Sequence, residues 1–144
     1  MTRAELLALM RASRYAVQAS VDGQGGPQAA IVGVAVGDDL QIVFDTLGDT
    51  RKMANLRRDA RIALVFHDGD RTVQVEGKAD EPVGEELLGA KALYFSVFPD
   101  GIDRQKWPRI TWVRTRPSWI RVSDYTHAPP EIVEFDAAAL SRLR

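Results

Sequence analysis

The sequence predicts a mainly β domain with flanking helices, a small antiparallel barrel or sandwich of about six short strands. Three observations carry this prediction. The chain has 144 residues, the length of one ordinary domain that buries roughly 70% of its unfolded surface. Short stretches of period-two alternation recur along it, separated by dense turn sequences such as 22–27 and 68–70. Closely spaced strands with tight turns favour antiparallel architecture over a doubly wound parallel sheet.

Hydrophobic spacing places each element in order. Helices are predicted where apolar residues recur at helical spacing, in residues 3–12, 50–58 and 82–98. Strands are predicted in residues 14–21, 28–36, 40–45, 61–67, 72–80 and, as one or two strands, 109–123. Pro117 predicts a bend or bulge in the last of these. The tail from Thr126, with Pro129 and Pro130, is predicted to have weak structure.

Composition excludes several classes of function. Hydrophobic residues make up 45% of the chain and charged residues 27%, which is typical of a globular protein. The formal net charge of -1 provides no case for binding nucleic acid or an anionic membrane. There are no cysteines, and the two histidines, His67 and His127, lie far apart, so no metal site is expected. We find no signal peptide or apolar run of roughly 20 residues, and therefore expect a cytoplasmic protein.

The strand at 28–36 is apolar on both faces, with Val32 and Val34 on one and Ile31 and Ala35 on the other. A strand that is apolar on both faces is normally covered on both. The protein core covers one face of this strand. The other face is covered by a helix, a ligand or a second subunit.

The segment 44–56 carries the strongest chemical signal. A strand ends there, and a helix opens with Thr50 as the expected N-cap and with Arg51 and Lys52 in its first turn. Helix N-termini favour acids and disfavour bases, so two cations beside free backbone N–H groups form a site that a phosphate would complete. The alternative is a surface pair neutralised by Asp45 and Asp49.

The order and spacing of several segments resemble the pyridoxamine 5'-phosphate oxidase-like split barrels. These segments are Gly26-Pro27, the strand 29–35, Phe44-Asp45-Thr46, Thr50-Arg51-Lys52, Asn55-Leu56 and the strand 71–79. The resemblance covers roughly residues 5–125. It implies a six-stranded antiparallel split β-barrel in residues 1–125, with residues 126–144 as a C-terminal tail of the same domain. It also implies a homodimer with flavin mononucleotide (FMN) at the subunit interface and a small-molecule substrate.

The resemblance assigns roles by position. Arg51 and Lys52, with Thr50 beside them, would hold the FMN phosphate. Asp45 and Thr46 would lie along the ribityl chain and phosphate. The isoalloxazine edge would face the main chain of Ala30, Ile31 and Val32. Thr72 matches a position that commonly carries a flavin-contacting Gln, and Gln74 on the same strand face is a substitute for it. No catalytic side chain is identified.

Some positions depart from the true pyridoxamine phosphate oxidases. Ala30 and Ala35 replace basic residues that bind FMN and substrate phosphate, Ser123 replaces a flavin-contacting Trp, and a C-terminal Arg-x-His segment is absent. Arg114 and Arg116 are the cations that could compensate. We therefore expect an FMN-binding oxidoreductase that is not a pyridoxamine phosphate oxidase. Two alternatives stay open: a deazaflavin-dependent reductase, which the stretch 55–59 resembles, or a non-catalytic barrel that binds flavin or haem.

Overall fold

One curled antiparallel sheet surrounded by helices forms the fold in the computed structural model, which describes residues 1–144. Its strands are β1 (Tyr15–Val21), β2 (Pro27–Gly33), β3 (Ala35–Val36), β4 (Ile42–Leu47), β5 (Arg61–Asp68), β6 (Arg71–Asp80), β7 (Ile110–Asp124) and β8 (Glu131–Asp136). Its helices are α1 (Arg3–Arg11), α2 (Arg51–Arg58), α3 (Gly84–Val97), α4 (Gly101–Arg104) and α5 (Ala137–Arg142). The predicted class, a mainly β antiparallel split barrel, is confirmed.

The sheet has eight strands rather than the six predicted. One extra strand arises because the apolar run at 28–36 is interrupted at Val34, which separates β2 from the two-residue β3. The other is β8, in the tail. None of the helices is long and apolar enough to cross a membrane.

An open seam divides the barrel. The strands run in the order β2-β1-β5-β6-β7-β4-β3, with β8 beside β7. The curl of the sheet brings β2 back into contact with β4, but these two strands form no ladder. We call the gap between β2 and β4, closed at one end by the start of α2, the open seam.

The barrel interior is packed with apolar side chains. Phe44, Leu64, Phe66 and Val73 are fully buried there with Met10 of α1 and Met53 of α2. A second, smaller cluster lies on the outside of the barrel, where α3 covers β3, β4 and β7. Tyr94 of α3 and Phe98, directly after that helix, belong to this cluster together with Trp112 of β7. The two clusters explain why β4 is buried on both of its faces.

The long strand β7 is continuous through Pro117. The register of the β6–β7 ladder shifts between Glu76 and Gly77, where Gly77 lies opposite Pro117. A Cβ on Gly77 would lie 2.3 Å from the carbonyl oxygen of Arg116. Pro117 therefore produces a bulge, as predicted, and the bulge requires a glycine across from it.

The prediction of weak structure in the tail was wrong. Strand β8 pairs with β7 along its whole length, from Glu131 opposite Asp124 to Asp136 opposite Trp119. Asp136 then caps α5 by accepting a 2.8 Å hydrogen bond from the backbone N–H of Ala139. Phe135 and Leu140 are buried in the main core. The tail thus becomes ordered through tertiary contacts.

Candidate functional site at the open seam

Helix α2 begins at the open seam with the predicted cap. The Thr50 hydroxyl accepts a 3.4 Å hydrogen bond from the backbone N–H of Met53 and donates to the carbonyl oxygen of Leu47 at 3.0 Å. The first turn contains no acidic residue. The positive end of the helix dipole is therefore left facing Arg51 and Lys52 instead of a carboxylate.

Neither of these two cations has a carboxylate partner. The Lys52 ammonium is half-buried and donates to Thr46 Oγ1 at 3.0 Å, and burial lowers its pKa. Arg51 is exposed and makes no ion pair. Asp45 pairs with Arg104 and Asp49 with Arg109. The two acids that would have made Arg51 and Lys52 an ordinary neutralised surface pair are thus committed elsewhere.

Hydrogen-bond donors outnumber acceptors beside Arg51. Asn55, buried on α2, donates to Ser20 Oγ at 3.1 Å and to the amide oxygen of Gln28 at 2.6 Å. With the Gln28 amide turned, the same oxygen lies 3.0 Å from Arg51 Nε. One acceptor therefore lies between two donor groups, and an anion would satisfy the surplus donor.

Sequence reasoning missed this polar cluster of Ser20, Gln28 and Asn55. The one local signal was Asn55 itself, a polar residue at a helical position flanked by the buried Met53 and Leu56. Its partners lie 27 and 35 residues away in sequence. Such partners become visible only when β1 and β2 pack against α2.

Strand β2 presents free backbone groups along the seam. The β1–β2 ladder is bounded by the bonds Asp22 N–H to Gly26 O and Val34 N–H to Arg14 O, both 2.9 Å. Antiparallel ladders alternate between bonded and non-bonded pairs, so Ala30 and Val32 bond to β1 and Ile31 directs its N–H and C=O outward. Of the three residues predicted to present main chain to a ring, Ile31 is the one whose polar groups are available.

Asp45 lies apart from Lys52. Successive side chains of a strand point to opposite faces, so Thr46 faces α2 while Asp45 faces α3 and α4. Asp45 accepts hydrogen bonds from the Tyr94 hydroxyl at 2.9 Å and from Arg104 Nε at 2.8 Å. Burial, and then the Asp45 carboxylate, raise the pKa of Tyr94. The partners Tyr94 and Arg104 were not identified from the sequence.

Thr72 and Gln74 lie on the outer face of the sheet. They alternate with Val73 and Val75, which point into the barrel core. Thr72 lies opposite His67 and Ser123. Within one protomer these side chains point away from α2, so they do not join Arg51 and Lys52. They could complete that site only from a second copy of the chain.

Residues 2–121 match the sequence profile of the pyridoxamine 5'-phosphate oxidase family, which covers most of the chain. The chain belongs to this family. No curated protein matches it at a significant level. No group of three or more His, Cys, Asp or Glu side chains is placed to hold a metal ion.

Solved structures share the fold of this family member at low sequence identity. A haem-binding protein from Mycobacterium smegmatis superposes with a TM-score of 0.81 at 17% identity, over 98% of this chain and 59% of that one. A pyridoxamine 5'-phosphate oxidase-related, FMN-binding protein from Nostoc punctiforme gives 0.73 at 14% identity, over 92% and 87%. The haem storage protein HutZ from Vibrio cholerae gives 0.68 at 14% identity, over 79% and 88%. The chain thus spans about three fifths of the Mycobacterium smegmatis protein.

Proposed function

We propose that this protein is an FMN-dependent oxidoreductase that binds the FMN phosphate at the start of α2. The observation that carries the proposal is the pair Arg51 and Lys52, two cations at a helix N-terminus with no carboxylate partner. A phosphate would accept from these side chains and from the free backbone N–H groups. FMN, when bound, supplies the hydride-transfer chemistry, and the protein supplies binding, orientation and electrostatics.

The residues of the seam fit such a cofactor. Thr46 holds the Lys52 ammonium in place at 3.0 Å, and the Gln28–Asn55 pair lies beside Arg51 with too few acceptors. The outward N–H and C=O of Ile31 can meet the polar edge of a flavin ring. Asp45, bound to Arg104, supports the end of β4 from its other face.

The site is proposed to be completed by a second subunit. Ile31, Val17 and Val65 are direct cross-strand neighbours on the outer face and are 72%, 40% and 42% exposed. The next residue in this row is Gln74. A two-fold homodimer would cover this apolar row and carry Gln74 and Thr72 toward the flavin of the other protomer. The absence of cysteine is consistent with the reducing cytoplasm as its location.

The second candidate is a haem-binding or flavin-storing barrel without turnover. The haem-binding proteins that share the fold favour it. A deazaflavin would use the same phosphate site. An absorption spectrum identifies the cofactor: flavin bands with FMN released on denaturation, a Soret band after haem addition, or a colourless protein that binds deazaflavin. Bound FMN that no nicotinamide donor reduces, with no substrate turnover, would indicate the flavin-storing barrel.

Substitution of Lys52 tests the phosphate site. Lys52→Ala removes a charge-assisted hydrogen bond worth about 1.5–3 kcal/mol, so FMN should bind roughly 10- to 150-fold more weakly. Arg51→Ala should behave similarly. The measurement is FMN titration of the apoprotein, followed by quenching of flavin fluorescence.

Arg58→Ala is the matched control. Arg58 lies on the same helix and also lacks a carboxylate partner, but it is at the C-terminal end, where it donates to Val21 O at 3.0 Å and, more weakly, to Asn55 Oδ1 at 3.3 Å. Its removal should leave FMN affinity unchanged. Equal FMN affinity in all three variants and the native protein would disprove the phosphate assignment.

A further inference from the structure

A groove runs along the C-terminal end of α2, away from the open seam. It consists of two adjoining cavities of about 760 and 490 Å³, which share Val21, Arg61 and Lys78. The larger cavity lies between the turn at 22–26 and the end of α2, and the smaller one continues over β5 and β6. An eight-residue helix is roughly 12 Å long, so this groove and the start of α2 are separate places on the molecule.

Three cations stand side by side across neighbouring strands, and two of them, Arg61 and Lys78, line the groove. Arg61 on β5 lies directly opposite Lys78 on β6, which lies opposite Arg116 on β7. Like charges at directly opposite positions destabilise a sheet. Arg61 is paired with Asp59 at 2.6 Å and Arg116 with Asp80 at 3.2 Å, but Lys78 between them has no acidic partner. Lys78 is flanked on the same face of β6 by Glu76 and Asp80 but makes an ion pair with neither.

Arg58 is the second unpaired cation of the groove. It lines the larger cavity with Lys78 and donates to the carbonyl oxygen of Val21 and to Asn55 Oδ1 instead of to a carboxylate. The two acids of that cavity form their hydrogen bonds with other groups, although the backbone N–H groups of Gly26 and Gln24, and then the Arg58 charge, hold the Asp22 pKa below its usual value. Asp22 accepts from the backbone N–H groups of Gln24 and Gly26 at 2.9 and 2.7 Å, and Asp59 accepts from Arg61.

The smaller cavity has a largely apolar floor. Ala19, Ala63 and Gly77 leave room there because their side chains are small or absent, and Pro27 adds an apolar ring to the lining. Glu76 also lines this part and makes no ion pair, so it repels an anionic group. Charge therefore orients a ligand, with its acidic end at Lys78 and Arg58 and its apolar body over the alanines.

We propose that this groove binds an amphipathic organic anion, a molecule with a flat apolar body and one sulfonate, carboxylate or phosphate group. The acidic group lies between Lys78 and Arg58, and the apolar body lies against Ala19 and Ala63. The groove needs no flavin to bind this ligand. Its floor lies on the same outer face as the apolar row, two residues along β1 and β5 from Val17 and Val65, so the proposal requires that the dimer interface end before Ala19 and Ala63.

Two matched probes test the proposal on the full chain. The anion 8-anilinonaphthalene-1-sulfonate has the apolar body and a sulfonate, and N-phenyl-1-naphthylamine has the same body without the charge. Fluorescence titration should show that Lys78→Ala and Arg58→Ala each weaken sulfonate binding about 10-fold, the loss of one charge-assisted contact. Affinity for the neutral probe should change less than twofold.

Controls separate this groove from the flavin site. Lys106→Ala, an exposed lysine outside the groove, should leave both probes unaffected. Ala63→Leu should fill the smaller cavity and weaken both probes. Lys52→Ala should weaken FMN but not the sulfonate, whereas Lys78→Ala should weaken the sulfonate but not FMN. If FMN fails to bind while sulfonate affinity depends on Lys78, the flavin proposal is wrong and the proposal that this groove binds an anion is still supported.

Two results would overturn the proposal. One is that the Lys78→Ala and Arg58→Ala proteins, with a native melting temperature, lose affinity equally for both probes or lose affinity for neither. The other is a native protein that binds neither probe while Lys78→Ala changes its subunit stoichiometry. The second result would mean that another copy of the chain occupies the groove.

Discussion

The resemblance places Ala35 where the true pyridoxamine phosphate oxidases are expected to carry a cation for the substrate. Here it is 1% exposed and packs in the apolar cluster under α3. The cations that could have compensated are engaged, because Arg114 pairs with Asp80 and Glu86 and Arg116 pairs with Asp80. Of the two cations that line the cavity beside Ala35, Arg11 pairs with Asp38, and Arg14 has no carboxylate partner but donates to the carbonyl oxygen of Val97 and lies over the Phe98 ring. Arg14 is therefore the one unpaired cation that a second phosphate could meet there.

We expect FMN-saturated protein not to oxidise pyridoxamine or pyridoxine phosphate efficiently. The loss of several charged contacts, each worth about 1.5–3 kcal/mol, costs several powers of ten in substrate affinity. The assay is pyridoxal phosphate formation with oxygen as the acceptor. Turnover with a micromolar Michaelis constant would show that a cationic pocket exists elsewhere.

Glu81 links α2 to β7 and makes stability depend on pH. It accepts from Arg57 at 2.7 and 3.0 Å and from Thr111 at 2.8 Å, and the Arg57 guanidinium in particular lowers the Glu81 pKa below its usual 4.5. A lowered pKa contributes stability above the unfolded value, and that contribution is lost as pH falls through the folded value. Glu81→Gln should cost about 1 kcal/mol at pH 7, because the pair is partly exposed. Urea unfolding should show this difference shrinking below pH 4.5, and a constant difference down to pH 2 would contradict it.

The β6–β7 bulge is an element whose geometry depends on one residue. Because a Cβ on Gly77 would lie 2.3 Å from a backbone oxygen, Gly77→Ala must displace one of two paired strands. We expect a loss of about 1–3 kcal/mol, the usual cost of forcing added atoms into a packed site. Gly89→Ala is the control, since that glycine lies within α3 with nothing inside 4 Å of its Cβ position. It should raise stability by about 0.5–1 kcal/mol, and thermal melts of both variants check the difference in sign.

The whole molecule leaves an apolar row on its outer face, which we expect a second copy to cover. A permanent interface should bury more than about 2,000 Å² in total, so light scattering should give a dimer at low micromolar concentration. Ile31→Glu should produce monomers that bind FMN weakly, because it charges the centre of the row. Leu88→Glu, which places the same charge on an exposed leucine of α3, should remain dimeric. A monomeric native protein, or a dimeric Ile31→Glu variant, would contradict this expectation.

The sequence by itself determined the elements whose signals are local. Alternation located β1, β4, β5 and β6, and the threonine cap and two cations located the start of α2, because periodicity and capping depend on residues within a few positions of one another. The family followed from the order of these segments. The phosphate site could therefore be predicted as a candidate from the sequence.

Only the tertiary structure decided which charges are neutralised. Arg104 forms an ion pair with Asp45, 59 residues earlier in the sequence, and Arg109 forms one with Asp49, 60 residues earlier. These two pairs leave Arg51 and Lys52 without a carboxylate partner. Arg61, Lys78 and Arg116 likewise become neighbours only through the pairing register of β5, β6 and β7. The tail forms β8 only because it pairs with the free edge of β7. Electrostatic and ladder partners are set by distance in space, and distance in space between remote residues is not a property of any local stretch of sequence.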